Sequence, residues 1–149
     1  WVYITASAAL GSITSSSTVG LDTAFVLGTG LWVIGFAIEV IADNQKTAFR
    51  NNAENANKFI NTGLWAWSRH PNYFGEILLW VGIAIIAYPT LVGNQIYLML
   101  SPLWVIFLLT AVSGVRMLEA RGHKQWGEDP EYQAYVANTP TLMLWPPRQ

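Results

Sequence analysis

"ILLWVGIAIIAYPTLVGNQIYLMLSPLWVIFLLTAVSGV", residues 77–115, contains no charged side chain. Thirty-nine neutral residues in a row are too many for a soluble segment. A helix needs about 20 apolar residues to cross a bilayer core of about 30 Å, so this run holds two crossings and a turn. The turn falls at Pro89 to Gln95, because Pro89 stops the first helix and Gly93 with Asn94 favours a bend. Composition agrees: 52% of the chain is hydrophobic, 11% is charged, and mean hydropathy is +0.31, against about 25% charged in soluble domains.

Working outward, the span before Pro89 runs from about Tyr73 to Tyr88, which is short for a full crossing and predicts a recessed start. The span after it runs from about Ile96 to Val115, with Pro102 expected to kink it. Upstream, Asp22 is placed to cap a helix from about Thr23 to Ala42. Trp1 to Leu10 is only half a span and runs into "GSITSSSTVG", so residues 1–20 read as the end of an upstream helix and a loop. The expected fold class is therefore all-α: an integral membrane helical bundle of about three full spans plus a partial N-terminal helix. It carries a cytoplasmic loop and a C-terminal amphipathic tail. Residues 1–149 form one membrane domain, expected to be the C-terminal part of a longer protein, with residues 21–149 as its binding region.

Charge sets the orientation. All eight Lys and Arg lie in the 46–71 loop or the 116–149 tail, and basic loops stay cytoplasmic. Three crossings satisfy this, so two basic segments meet at one mouth of the bundle. Asp43, Lys46 and Arg50, spaced by three and four, share a face if their helix projects beyond the membrane. A net charge of −1 and the lack of a basic stripe argue against nucleic acid. With no cysteine and two histidines, disulfides and thiolate chemistry are excluded and no metal site is expected.

At the mouth lies "WAWSRHPNYFGE", residues 65–76. Pro71 suits the first turn of a helix, whose free N–H groups and positive dipole end would then face Arg69, His70 and Asn72. That arrangement suits an anion. Gly75 would let a ligand or another helix approach, and Glu76 would face the ligand or pair with Arg69 or Arg116. The plainer readings are interfacial anchors for Arg69 and His70 and a simple cap for Asn72. Trp65 and Trp67 read as aromatic-belt residues, with ring stacking on a nucleotide as the minority option. Tyr132 and Tyr135 read as packing the tail on the loop, His123 as solvated, and Gly28, Gly30 and Gly35 as a small-residue helix-packing set.

"RHPNYFGE", Arg69 to Glu76, resembles the signature shared by integral-membrane sterol reductases and, less closely, isoprenylcysteine carboxyl methyltransferases. With "GFAIEVIADNQKTAFR", "NKFINTGLWAWSRHPNYFGEILLW" and "DPEYQAYVANTP", residues 35–146 resemble a bacterial membrane family of unknown function, the DUF1295 type. That family groups with the C-terminal domain of steroid 5-alpha-reductases. The resemblance implies NADPH, or NADH, held from the cytoplasmic side of a bacterial inner membrane, and hydride passing to a lipophilic, enone-like substrate that enters from the bilayer. It places Asp43 at the adenosine end, Arg50 and Arg116 on the phosphates, and Asn72 at the diphosphate, beside Arg69 and His70. Glu39 stands where the family has an amide, and Ala120 and Lys124 replace its His and Tyr. The family's carbonyl-polarising acid and tyrosine come from helices upstream; Tyr3 is a lone candidate, so no catalytic residue is assigned.

The rival enzyme reading is methyl transfer from S-adenosylmethionine, since Glu119, Trp126, Gly127, Tyr132 and Tyr135 also resemble the methyltransferase tail. The Asp43 and Arg50 pair favours the reductase, because adenosylmethionine has no phosphate for a guanidinium. A non-catalytic membrane subunit is the third reading, and it should bind no nucleotide.

Overall fold

In a computed structural model of the chain, residues 21–112 and 114–146 are described. The expected partial helix at Trp1–Leu10, the loop after it and Tyr3 lie outside them. The described residues form helices and turns. The long helices are α1 (Thr23–Asn51) and α2 (Pro71–Ala87). A broken third rod follows: a 3₁₀ segment Gly93–Leu100, α3 (Ser101–Phe107), a π turn Leu108–Val112 and α4 (Val115–Trp126). The short α5 (Pro130–Asn138) closes the chain. Thr23–Asn51, Pro71–Thr90 and Gly93–Trp126 are long and apolar enough to cross a membrane, and the chain is read as an integral membrane protein.

Local chemistry accounts for the helix ends. The Asp22 carboxylate accepts from the Phe25 N–H at 2.7 Å and starts α1, as an N-cap should. α1 then runs nine residues past the expected Ala42, carrying its polar end out of the apolar zone and placing Asp43, Lys46 and Arg50 on one face. Pro71 opens α2. Pro102 does not kink a long helix; it sits in the first turn of α3, where its missing N–H costs nothing. The rod breaks instead at the π turn. There a side chain on Gly114 would clash with the Leu109 carbonyl oxygen and meet the Tyr73 ring at 2.9 Å.

α1 and α2 pack antiparallel through glycines. A Cβ on Gly28 would stand 2.6 Å from the Gly82 carbonyl oxygen, and one on Gly82 2.6 Å from that of Gly28. Gly35 and Gly75 repeat the relation at the same distance. Two glycines per helix, seven residues apart, thus bring backbones into contact where lipid supplies no hydrophobic drive. Gly30 is not part of this set: nothing lies within 4 Å of a Cβ there. Most of the apolar surface of α1 faces outward, including Val26, Leu27, Val33 and Ile34, as suits a lipid-facing helix.

Candidate functional site

The Asn-rich segment after α1 is built of turns. The Asn52 side chain accepts from the Glu54 N–H at 3.0 Å, and Asn55 donates to the Phe49 carbonyl at 3.0 Å. Asn57 adopts φ +64°, a left-handed conformation that asparagine tolerates, and its carbonyl accepts from the Trp126 indole. Gln45 reaches from α1 to accept from the Leu64 N–H at 2.9 Å. These bonds hold the segment over the ends of α1 and α4.

Residues 65–69 are stitched to the tail. The Arg69 N–H donates to the Pro140 carbonyl at 2.9 Å, the Trp145 N–H to the Trp67 carbonyl at 3.1 Å, and Ser68 Oγ to the Leu142 carbonyl at 3.0 Å. Tyr135 donates its hydroxyl to the Trp65 carbonyl at 2.7 Å. Burial holds the Tyr135 phenol well above the ordinary tyrosine range, and raises that of Tyr132, because the phenolate is penalised out of water. So the expected packing of the tail on the loop by these two tyrosines is present. Trp65 departs from its expected belt role: it is 5% exposed and donates its indole N–H to the Ala42 carbonyl at 3.0 Å. Lys46 Nζ lies 5.2 Å from its ring centroid, within cation–π reach. Trp67 is exposed, as a belt residue would be.

Where these segments meet, a cleft of about 150 Å³ opens between the ends of α1, α2, α4 and α5. Its charged lining is Lys46, Arg50, Lys58, Arg69 and Glu119, four cations against one carboxylate. Its other wall is aromatic: the Phe59 ring lies 6.1, 5.2 and 5.4 Å from those of Trp126, Tyr132 and Tyr135. The cleft can thus attract an anion and lay an aromatic ring against aromatic faces.

Of the residues expected at the site, Arg50, Arg69 and His70 line this cleft. Asp43 and Asn72 are joined to each other, Asn72 Nδ2 donating to Asp43 Oδ1 at 3.1 Å, but they stand outside the lining. Arg116 also stands outside it, exposed on the first turn of α4. Glu76 pairs with neither arginine; it lies beside Glu39 and Asp43. Arg69 instead binds Glu119 through Nη1 and Thr141 through Nη2. The other Glu119 oxygen is 2.7 Å from His70 Nε2. Among the described residues no group of three or more His, Cys, Asp or Glu could hold a metal ion.

Lys46 and Lys58 are lining residues that no site role anticipated, and Glu119 was marked only as part of the methyltransferase-like tail. Lys46 was legible as a neighbour of Arg50 on one helix face, whereas Lys58 and Glu119 are brought in by the tertiary fold.

The fold and this site define a class of protein: a helical membrane protein whose polar ends close around a cationic, aromatic-walled cleft. More particularly, the family model described as "Protein of unknown function (DUF1295)" matches residues 1–139, and the chain belongs to that family. It is 33% identical to human 3-oxo-5-alpha-steroid 4-dehydrogenase 1 over 67 residues, covering 45% of this chain and 26% of that protein. To the rat protein of the same name it is 29% identical over 102 residues, covering 68% of this chain and 34% of the relative. The chain thus spans about a quarter to a third of the length of the curated relatives it matches. No solved structure matches. At the level of the family, the likeness is to a membrane reductase.

Proposed function

We propose that this chain is the nucleotide-binding half of a membrane-embedded, NADPH-dependent reductase that saturates a polarised double bond in a lipophilic, enone- or steroid-like substrate. The observation that carries this reading is the cleft itself, with four cations and an aromatic wall at the polar end of three apolar helices. Its chemistry fits a phosphorylated dinucleotide, which has anionic phosphates for the cations and two flat bases for the rings.

Lys46, Arg50 and Lys58 would take the phosphates, because Arg69 already spends its charge on Glu119. The joined pair of Asp43 and Asn72 flanks this group on the α1 face and would order the adenosine end and the adjoining diphosphate. Arg116 stands outside the cleft, and we assign it no phosphate. When bound, the reduced nicotinamide would supply hydride. The residues of this chain bind and orient it, and the apolar helices beneath present the lipophilic partner from the bilayer. The name of the relatives, a 3-oxo-steroid dehydrogenase, supports a flat, carbonyl-bearing substrate. A cationic cleft is a poor host for the sulfonium of S-adenosylmethionine, which argues against methyl transfer.

Equilibrium binding of NADPH, NADH and S-adenosylmethionine to the detergent-purified chain tests the reading. NADPH should bind saturably and Arg50→Ala should weaken it roughly tenfold, the size of one charge-assisted hydrogen bond. Binding of adenosylmethionine alone would move the chain to the methyltransferases, and binding of nothing would leave a non-catalytic membrane subunit.

A further inference from the structure

The tail after α5 returns to the segment that precedes α2 and joins it along a seam. The Trp145 N–H donates to the Trp67 carbonyl, the Arg69 N–H to that of Pro140, and Ser68 Oγ to that of Leu142. The height of this seam on the membrane follows from α2. With the turn after it, α2 gives a span of 20 residues, Pro71–Thr90, about 30 Å of helix, which matches the hydrocarbon core. A span of that length puts Pro71 at the edge of the hydrocarbon and Trp67, four residues earlier, at headgroup depth. The bond from Trp145 brings the tail to the same depth. The composition of the seam suits that layer. Residues 59–68 and 132–146 carry no charged side chain, whereas Arg116, Arg121 and Lys124 stand exposed on α4. The bonds across the seam satisfy backbone groups that a layer poor in water would leave costly. Three large apolar side chains remain uncovered: Trp67, Met143 and Trp145 are 48%, 60% and 67% exposed. An open groove of about 530 Å³, walled by Pro140, Met143, Trp145 and Pro146 among others, continues the patch. Exposed apolar patches mark contact surfaces, and tryptophan concentrates at the boundary between hydrocarbon and water.

We propose that residues 140–146, together with Trp67, form a footing in the lipid headgroup layer, the tail lying in the membrane–water interface with Met143 and Trp145 turned to the acyl chains. The partner is the bilayer itself, continuous with the lipid around the spans. Because the footing is neutral and aromatic, it recognises the polar–apolar boundary and not the charge of a headgroup. It reaches the cleft through one side chain: Thr141 accepts from Arg69 Nη2, and Arg69 lines the cleft. The bilayer thereby steadies a wall of the cleft from outside.

The chain has no cysteine, so a nitroxide can be attached to Met143→Cys, where the exposed side chain can be exchanged without disturbing the fold. Lys124→Cys, exposed on α4, serves as the reference in water. In nanodiscs of phosphatidylcholine and phosphatidylglycerol, collisions of each label with oxygen, which enters lipid, are compared with those with a nickel chelate, which stays in water. The label at 143 should report a depth of about 5–10 Å into the interfacial layer, the reach of a segment lying in the interface, and the label at 124 should be open to the chelate. Nanodiscs of phosphatidylcholine alone should give the same depth at 143; a depth found only with the anionic lipid would overturn recognition of the neutral boundary. Replacing Trp67 and Trp145 together by alanine should return the 143 label to water, and an unchanged depth would overturn the anchoring role of the two indoles. A 143 label as open to the chelate as the 124 label would overturn the footing outright. Protection of the 143 label from both reagents would overturn it as well, because a protein surface, a second copy of the chain included, would then cover the patch.

Discussion

Glu119 joins α4 to the turn before α2 through two bonds at once, one to Arg69 and one to His70. Removing its charge leaves a guanidinium that is only 13% exposed without its counter-ion. Exposed pairs are worth about 1 kcal/mol or less, and breaking a buried one costs about 3–5. This partly covered pair falls between them, so Glu119→Gln should cost about 2 kcal/mol, read as a lowered melting temperature in detergent. Tyr135 gives a pH prediction. Its phenol is raised above the unfolded value, so the folded state holds the proton longer. Its contribution is complete below about pH 10, the ordinary phenol value, and is lost as pH climbs beyond it. Tyr135→Phe should cost about 1 kcal/mol at neutral pH, the worth of its bond to the Trp65 carbonyl. It should also flatten the alkaline loss, which a melting series from pH 8 to 12 would show. Little of this was legible in the sequence. Arg69 and His70 stood out because they precede Pro71 at a helix start, but their partner lies about fifty positions away. No local periodicity marks such a pairing. The burial of Trp65 was hidden for the same reason: an indole beside a membrane helix reads as a belt residue until Ala42 and Lys46 come to meet it.

At the scale of the helices, more could be read. Hydropathy located the spans because a bilayer demands their length, and Asp22 and Pro71 marked two starts because each satisfies or omits backbone donors that helix ends leave free. The length of α1 past Ala42 was less visible. "DNQKTAFRN" is polar, and the sequence shows only that it leaves the hydrocarbon, whereas the spacing of Asp43, Lys46 and Arg50 hinted that it stays helical. The glycines show both outcomes within one helix. Gly28 and Gly35 lie seven apart and meet α2; Gly30 sits on another face and meets nothing. Gly35→Ala should force the helices apart, because its Cβ would press on the Gly75 carbonyl oxygen and the Leu79 backbone, each at 2.6 Å, neither of which can rotate away. A destabilisation of about 1–3 kcal/mol is expected, the usual cost of overpacking. Gly30→Ala is the control: it should be neutral or stabilise by up to about 1 kcal/mol, since alanine is the better helix former. Equal losses at both positions would show that the glycines act through helix propensity rather than contact.

For the whole molecule, the antiparallel order of α1, α2 and the third rod puts the 52–70 segment and the tail at one end and the turn at residues 91–95 at the other. Hydrogen bonds between residues 65–69 and the tail require those two segments to share a side. The bias of Lys and Arg predicts a cytoplasmic placement for this side, which labelling from either face of the membrane tests. The chain has no cysteine, so single reporters can be introduced without background. Glu54, Lys124 and Asn94 are all exposed and stand clear of the cleft lining. In right-side-out membrane vesicles, a membrane-impermeant maleimide should label Asn94→Cys, while Glu54→Cys and Lys124→Cys should react only after permeabilisation. The reverse pattern would turn the cleft away from the cytoplasmic pool of reduced nucleotide and remove the source of hydride that the proposed function requires. Labelling of Glu54→Cys and Lys124→Cys from opposite faces would be more serious, because the loop and the tail could then not close a common cleft.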